Sequence, residues 1–168
     1  LKPTHVVVTW DKSSKTFRNE MYPEYKATRV KAPDDLYAQM PYTRELVEAL
    51  NLPWVELENY EADDIIGTFA RQAEELGGID IVIATGDKDQ LQLIDNSTVV
   101  DMFHPLALYP TRYDLAIMQE RSQLTPSHFI DHKSLVGVTM AFIPGFAGFW
   151  AECTRMLVAA DESPYVIS

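Results

Sequence analysis

Three groups of carboxylates stand directly behind apolar runs. Asp11 follows residues 6–10, Glu61, Asp63 and Asp64 follow residues 53–57 by way of Glu58 and Asn59, and Asp87 and Asp89 follow residues 79–84. Six acids brought to one place repel strongly unless something compensates them. Divalent cations do so, and a donor set made only of oxygen suits Mg²⁺ or Mn²⁺ rather than zinc. Two such ions about 3.5–4 Å apart can activate a water and stabilise the leaving oxygen in phosphodiester hydrolysis. Each group also has a structural use of its own. Glu61, Asp63 and Asp64 fall where a helix would begin, a place the macrodipole favours for acids. Asp87 can cap a helix, and Asp11 can be an ordinary loop acid. The coincidence of all three behind strands points towards a metal site.

The charge is as uneven as the acids are clustered. The 168 residues carry a net charge of −11, which taken alone argues against a nucleic-acid partner. Yet Lys12, Lys15, Arg18, Lys26, Arg29 and Lys31 fall in one stretch, opposed there only by Glu20 and Glu24. Cations for phosphates beside carboxylates for metal would serve a phosphodiesterase. An acidic protein with one solvated basic loop has the same signature. Other candidates carry less. His128 and His132 are spaced i, i+4, but no Glu follows His128 as in the H-E-x-x-H motif, so they read as a polar helix face. The single Cys153 excludes an internal disulfide and reads as a buried thiol in a reducing, cytoplasmic setting. There is no glycine-rich phosphate loop. No apolar run reaches the roughly 20 residues of a membrane helix. The opening LKPTHVVV has neither a signal-peptide pattern nor an initiator Met, and the chain is expected to continue upstream.

The elements that must hold these side chains alternate in type. Residues 6–10 form an unbroken apolar run, mostly β-branched, and predict a buried strand. Residues 12–33 have no clean period and predict an exposed excursion. Asp34 and Asp35 open an amphipathic helix with Leu36, Met40, Leu46, Val47 and Leu50 near helical spacing, kinked or restarted at Pro41. A short strand over 53–57 precedes a helix from Glu61 with Ile65, Ile66, Phe69 and Ala73 inward, stopped by Gly77-Gly78. A strand over 79–84, a short helix over 87–94 and a strand over 98–103 follow. Helices are predicted over 111–120, 126–136 and 149–159. Such alternation indicates an α/β domain, a mostly parallel sheet flanked by helices, in which ligands gather at the carboxyl ends of the strands.

Residues 60–75 (YEADDIIGTFARQAEE) and 81–94 (IVIATGDKDQLQLI) are similar to the core of the 5′-nuclease family, which includes the 5′-to-3′ exonuclease domain of bacterial DNA polymerase I and the flap endonucleases. Residues 9–29 match its Phe-Asp…Thr-Phe-Arg…Tyr-Lys-Ala-x-Arg segment in type and order. Residues 124–137 resemble the approach to its last acidic pair. The resemblance implies a PIN-like nuclease core over residues 1–125 with a basic arch over about 12–33. Residues 126–168 would form a helical, DNA-binding segment akin to a helix-hairpin-helix region. It implies that Asp11, Glu61 and Asp63 hold a first Mg²⁺ or Mn²⁺, and that Asp64, Asp87 and Asp89 belong to a second ion and its surroundings. Lys26 and Arg29 would contact the scissile phosphate, Arg18 would support the arch or touch phosphate, and Tyr22 or Tyr25 would stack on an unpaired base. Gly145 and Gly148 would belong to the hairpin that grips DNA. The implied partner is DNA with 5′ flaps or 5′ ends, with a polymerase domain attached in the natural chain and no membrane. The family has an earlier strand carrying another metal-binding Asp, and its last acidic pair stands where this chain has Val138 and Ala141. Trp150 replaces a hairpin glycine and Glu152 its lysine. The same fold without catalysis, a DNA-binding remnant, fits those substitutions. A protein-interaction domain using Phe142, Phe146, Phe149 and Trp150 is the other alternative.

Overall fold

A computed structural model describes residues 2–27 and 29–136. The chain divides into two compact units, residues 1–68 and 69–168. Each has a sheet of its own, and in each the first two strands pair in parallel.

In the first unit, β1 (Val8–Asp11) pairs in parallel with β2 (Trp54–Leu57), Val8 opposite Trp54 and Asp11 opposite Leu57. The strand therefore begins two residues later than the apolar run suggests and takes in Asp11. Val6 and Val7 lie outside the pairing and are exposed. The excursion between the strands carries the short helix α1 (Phe17–Met21) and then α2 (Asp34–Ala49). Pro41 neither ends nor restarts α2, which runs through it. Proline forfeits one backbone hydrogen bond to the residue four before it, and here it does so on an exposed stretch. None of α2 is buried, and Leu36, Met40, Leu46 and Leu50 are exposed rather than inward.

Helix α3 (Ala62–Leu76) begins in the first unit and continues into the second. Ile65 is buried as the pattern requires, whereas Phe69 is 39% exposed. Gly77 and Gly78 end the helix at φ of 69° and 71°, a left-handed pair that side chains with a Cβ adopt only under strain. The second unit then builds a three-stranded sheet in the order β3 (Ile81–Thr85), β4 (Thr98–Met102), β5 (Thr111–Tyr113). β3 and β4 are parallel, β4 and β5 antiparallel. The segment after β3 is a 3-10 helix, Lys88–Leu93, rather than an α-helix.

The expected helix over 111–120 is two elements. Thr111–Tyr113 pairs as a strand, and Asp114 then caps α4 (Leu115–Ser122) by accepting from the Ile117 N–H at 2.8 Å. A β-branched residue and an aromatic belong to a strand here, and an Asp before an apolar run is a cap signal. α5 (Pro126–Val136) spans the predicted residues and carries His128 and His132. The core of this unit includes Ile83, Leu91, Ile94, Val100, Met118 and Phe129. The expected helix over 149–159, the segment from Gly137 to Glu152, Gly145 and Gly148 lie outside the described residues. Among the described residues, no helix is long and apolar enough to cross a membrane.

Candidate metal and phosphate site

The first turn of α3 gathers acids because three different pieces of chain send them there. Asp11, the last residue of β1, accepts a hydrogen bond from the Ala62 N–H at 2.6 Å. Asp64 reaches back one turn and accepts from the Glu61 N–H at 2.9 Å, the return half of a capping box. Backbone donors left unpaired at a helix start are thus met by two carboxylates, and the positive end of the dipole stabilises both. Glu61 itself, at the threshold of α3, is only 8% exposed. Asp63 is half-buried.

A buried carboxylate needs a counter-charge, and the arch supplies it. Lys26 Nζ donates to Glu61 Oε1 at 2.9 Å, and the Tyr25 hydroxyl donates to Glu61 Oε2 at 3.3 Å. Arg18 grips Asp64 with two nitrogens, at 2.8 and 2.7 Å, and stands 3.9 Å from Glu61. This fork geometry is among the stronger ion pairings that proteins make. Arg18 holds the Asp64 carboxyl below the usual carboxylate range, its hydrogen bond outweighing burial. Burial on its own would lower the Lys26 ammonium, but the hydrogen bond and charge of Glu61 leave it raised. Burial raises the Tyr25 hydroxyl. The backbone of Lys26 sits at φ 57°, a left-handed conformation uncommon for a residue with a long side chain. Arg29 is exposed and makes no ion pair among the described residues. Tyr22 is exposed as well, its hydroxyl donating to Glu24 at 2.9 Å. Asp11 also lines an open cleft of about 510 Å³ with Trp10, Tyr37, Met40 and Arg44.

In the second unit the two acids after β3 have local work. Asp87 caps the 3-10 helix by accepting from the Asp89 N–H at 2.9 Å. Asp89 pairs with Lys133 of α5 at 2.6 Å. Reading the sequence missed Lys133, and it missed the pair of Arg112 with Asp101, two hydrogen bonds at 2.8 and 2.9 Å. The second had a signal: an acid inside an apolar strand needs a cation opposite it, and Asp101 and Arg112 are register partners. Arg112 keeps the Asp101 carboxyl low. The His132 ring stacks on Phe129 at 6.5 Å, and burial lowers its imidazole.

Chemically, the donor set of the first unit fits a hard divalent cation, since it is all carboxylate oxygen around a polarised helix start. As arranged, however, no three Asp, Glu, His or Cys side chains among the described residues come together as a cage. Both oxygens of Glu61 and of Asp64 already accept from Lys26, Tyr25 and Arg18.

The likeness to known proteins covers this whole region. The chain is 41% identical over 146 residues to DNA polymerase I of Lactococcus lactis subsp. cremoris (strain MG1363), covering 86% of this chain and 17% of that protein. It is 42% identical over 162 residues to DNA polymerase I of Bacillus subtilis (strain 168), covering 96% and 18%. The chain thus spans about a sixth of the length of the curated relatives it matches. Among solved structures, the bacteriophage T5 D15 protein co-crystallised with metal ions superposes with a TM-score of 0.74 at 20% identity, over 98% of this chain and 67% of that one. The T5 D15 flap endonuclease in a pseudo-enzyme-product complex with DNA and metal ions gives 0.73 at 22%, over 97% and 65%. The fold is therefore that of the T5 5′-exonuclease. With the profile of the 5′-3′ exonuclease N-terminal resolvase-like domain matching residues 1–126, the chain belongs to the 5′-3′ exonuclease family.

Proposed function

We propose that the chain is a divalent-metal-dependent 5′-to-3′ exonuclease and flap endonuclease, acting on DNA with 5′ flaps or 5′ ends in bacterial replication and repair. On this reading it works in the cytoplasm, with a polymerase domain in the same natural chain. The observation that carries the proposal is the meeting of opposite chemistries at the start of α3: carboxylates suited to Mg²⁺ or Mn²⁺ lie within hydrogen-bond reach of Lys26 and Arg18, cations suited to phosphate.

Asp11, Glu61 and Asp63 would hold one ion, with Asp64, Asp87 and Asp89 serving the second. Such ions, when bound, supply an activated water and positive charge at the leaving oxygen. The water oxygen bonds to phosphorus, the bond from phosphorus to the leaving oxygen breaks, and that oxygen takes a proton. Lys26 and Arg29 bind the phosphate oxygens, Arg18 steadies the arch, and Tyr22 or Tyr25 offers an aromatic face to an unpaired base. Gly145 and Gly148 serve the duplex grip.

Val138 and Ala141 favour a weaker second ion site, because they stand where the resembled motif has its acidic pair. Losing one such stabiliser commonly costs a factor of about 10²–10³ in rate. The test is Mg²⁺-dependent cleavage of a labelled 5′-flap substrate under single turnover, comparing the chain with Val138→Asp plus Ala141→Asp. Slow, chelator-sensitive cleavage that the two aspartates accelerate is the expected result. Binding without any cleavage in either form would leave a DNA-binding remnant of the fold.

A further inference from the structure

We infer that the arch is a self-closing latch: Lys26 and Arg18 neutralise Glu61 and Asp64 in the metal-free chain, and a divalent ion opens the arch by taking their place. The inference rests on reading those two acids as metal ligands, and goes beyond it in stating what they do before the metal arrives. Three observations converge. The Glu61 side chain is 11% exposed, and both of its oxygens are engaged by neighbouring arch residues, Tyr25 and Lys26. Asp64 has both oxygens on Arg18, and one of them also accepts from the Glu61 backbone. The residue delivering the ammonium, Lys26, adopts a left-handed backbone to do so, a conformation that costs an L-residue energy and persists only when its surroundings hold it.

The consequence is an exchange of partners. An ammonium and a metal ion compete for the same face of a carboxylate by sterics and by like charge, so an ion seated on Glu61 and Asp64 where the arch now meets them displaces Lys26 and Arg18. Once displaced, these cations have lost their counter-charges and are available to phosphate. Metal and DNA then help one another through the arch. The coupling is reciprocal: whatever factor the metal adds to DNA affinity, DNA adds to metal affinity. Arg29, on the same segment, pairs with no carboxylate among the described residues and stands outside the exchange.

The test uses the full chain with Mn²⁺ alone, its binding followed by the paramagnetic resonance of the free ion. Lys26→Asn removes the competing ammonium and keeps a residue that tolerates the left-handed backbone. Lys26→Gly is the second variant, and Arg29→Gln is the control for a general loss of positive charge. Both Lys26 variants should bind Mn²⁺ about 10- to 150-fold more tightly than the parent, the weight of one charged hydrogen bond, with Arg29→Gln within about twofold. In parallel, Mn²⁺ should speed tryptic nicking of the parent after Arg29 and Lys31 and leave the rate unchanged in Lys26→Asn. A ligand that merely stabilised the fold would slow it. Equal tightening by Arg29→Gln, or protection of the arch by Mn²⁺, overturns the latch. So does a failure of both the parent and the Lys26 variants to bind Mn²⁺, which removes the metal reading with it. The predicted binding and nicking without any DNA cleavage would uphold the latch and remove the nuclease reading alone.

Discussion

Of the ten apolar side chains buried among the described residues, Ile65 is the only one in residues 1–68, and the other nine, from Ala70 to Phe129, belong to the second unit. What the first unit buries instead is polar: Thr16 and Glu61. Beyond the pairing of β1 with β2, its long-range side-chain ties include the ion pairs of Arg18 with Asp64, Lys26 with Glu61 and Arg44 with Glu56. The second unit buries far more apolar surface, and the first leans more on matched charge. Apolar packing is not screened by salt, whereas matched charge can be rearranged by an ion that competes for it. On the proposed metal reading, a site that exchanges cations is better built from matched charge.

The comparison breaks first if the core is emptied. Met118 is 1% exposed, and Met118→Ala should cost about 2–5 kcal/mol in a denaturant titration, while Leu46→Ala on exposed α2 should stay within about 0.5 kcal/mol. Equal losses would mean that α2 packs more closely than its exposure indicates.

At the charged end, Glu61→Gln should reduce single-turnover flap cleavage about 10²–10³-fold, with the far-ultraviolet circular dichroism spectrum retained. Unchanged cleavage would leave Glu61 as an anchor for the arch and nothing more. Lys26→Ala plus Arg29→Ala should weaken DNA binding and flatten its dependence on salt. Two phosphate contacts are worth a change of about 1.4–1.8 in the slope of log affinity against log salt concentration, and an unaltered slope would put the contact surface elsewhere.

A smaller effect separates the two uses of Asp87. Asn caps a helix as well as Asp does, so Asp87→Asn should keep stability and lose cleavage, while Asp87→Ala should lose cleavage and about 1 kcal/mol as well. If Asp87→Asn cleaves normally, Asp87 is only a cap.

Acid sharpens the contrast with the least perturbation. His132 titrates lower when folded because of burial, so the unfolded chain takes up protons first and stability falls with pH. This contribution is complete above about pH 6.5 and lost as pH drops through the lowered value. The Asp64–Arg18 pair lasts until far more acidic conditions, because Asp64 is itself held low. Hydrogen exchange at pH 5 should therefore quicken in α5 before it quickens at the start of α3.

Much of this was legible in the chain itself. Every strand before residue 103 was visible as an apolar run, and the clustered acids and the basic stretch were both visible as composition. Misplaced boundaries have a common cause. Strands end where pairing ends, and Val6, Val7 and Ile79 have no strand partner despite their composition. Thr111–Tyr113 was hidden because three residues carry no period, and only pairing with β4 makes them a strand. At the site, the residue types were readable but their engagements were not. Nothing in the spacing says that Lys26 and Arg18 turn inward onto acids some forty residues away, since that depends on how the arch returns.

That return has a kinetic side. The Arg18–Asp64 contact spans 46 residues and the Lys26–Glu61 contact 35. Closing loops of that size costs chain entropy that no local contact repays in advance. The 3-10 helix capped by Asp87 is a short-range event and can form within its own few residues. The charged cluster can close only when the arch, α2 and β2 have brought distant ends together, so its strength is borrowed from the rest of the unit.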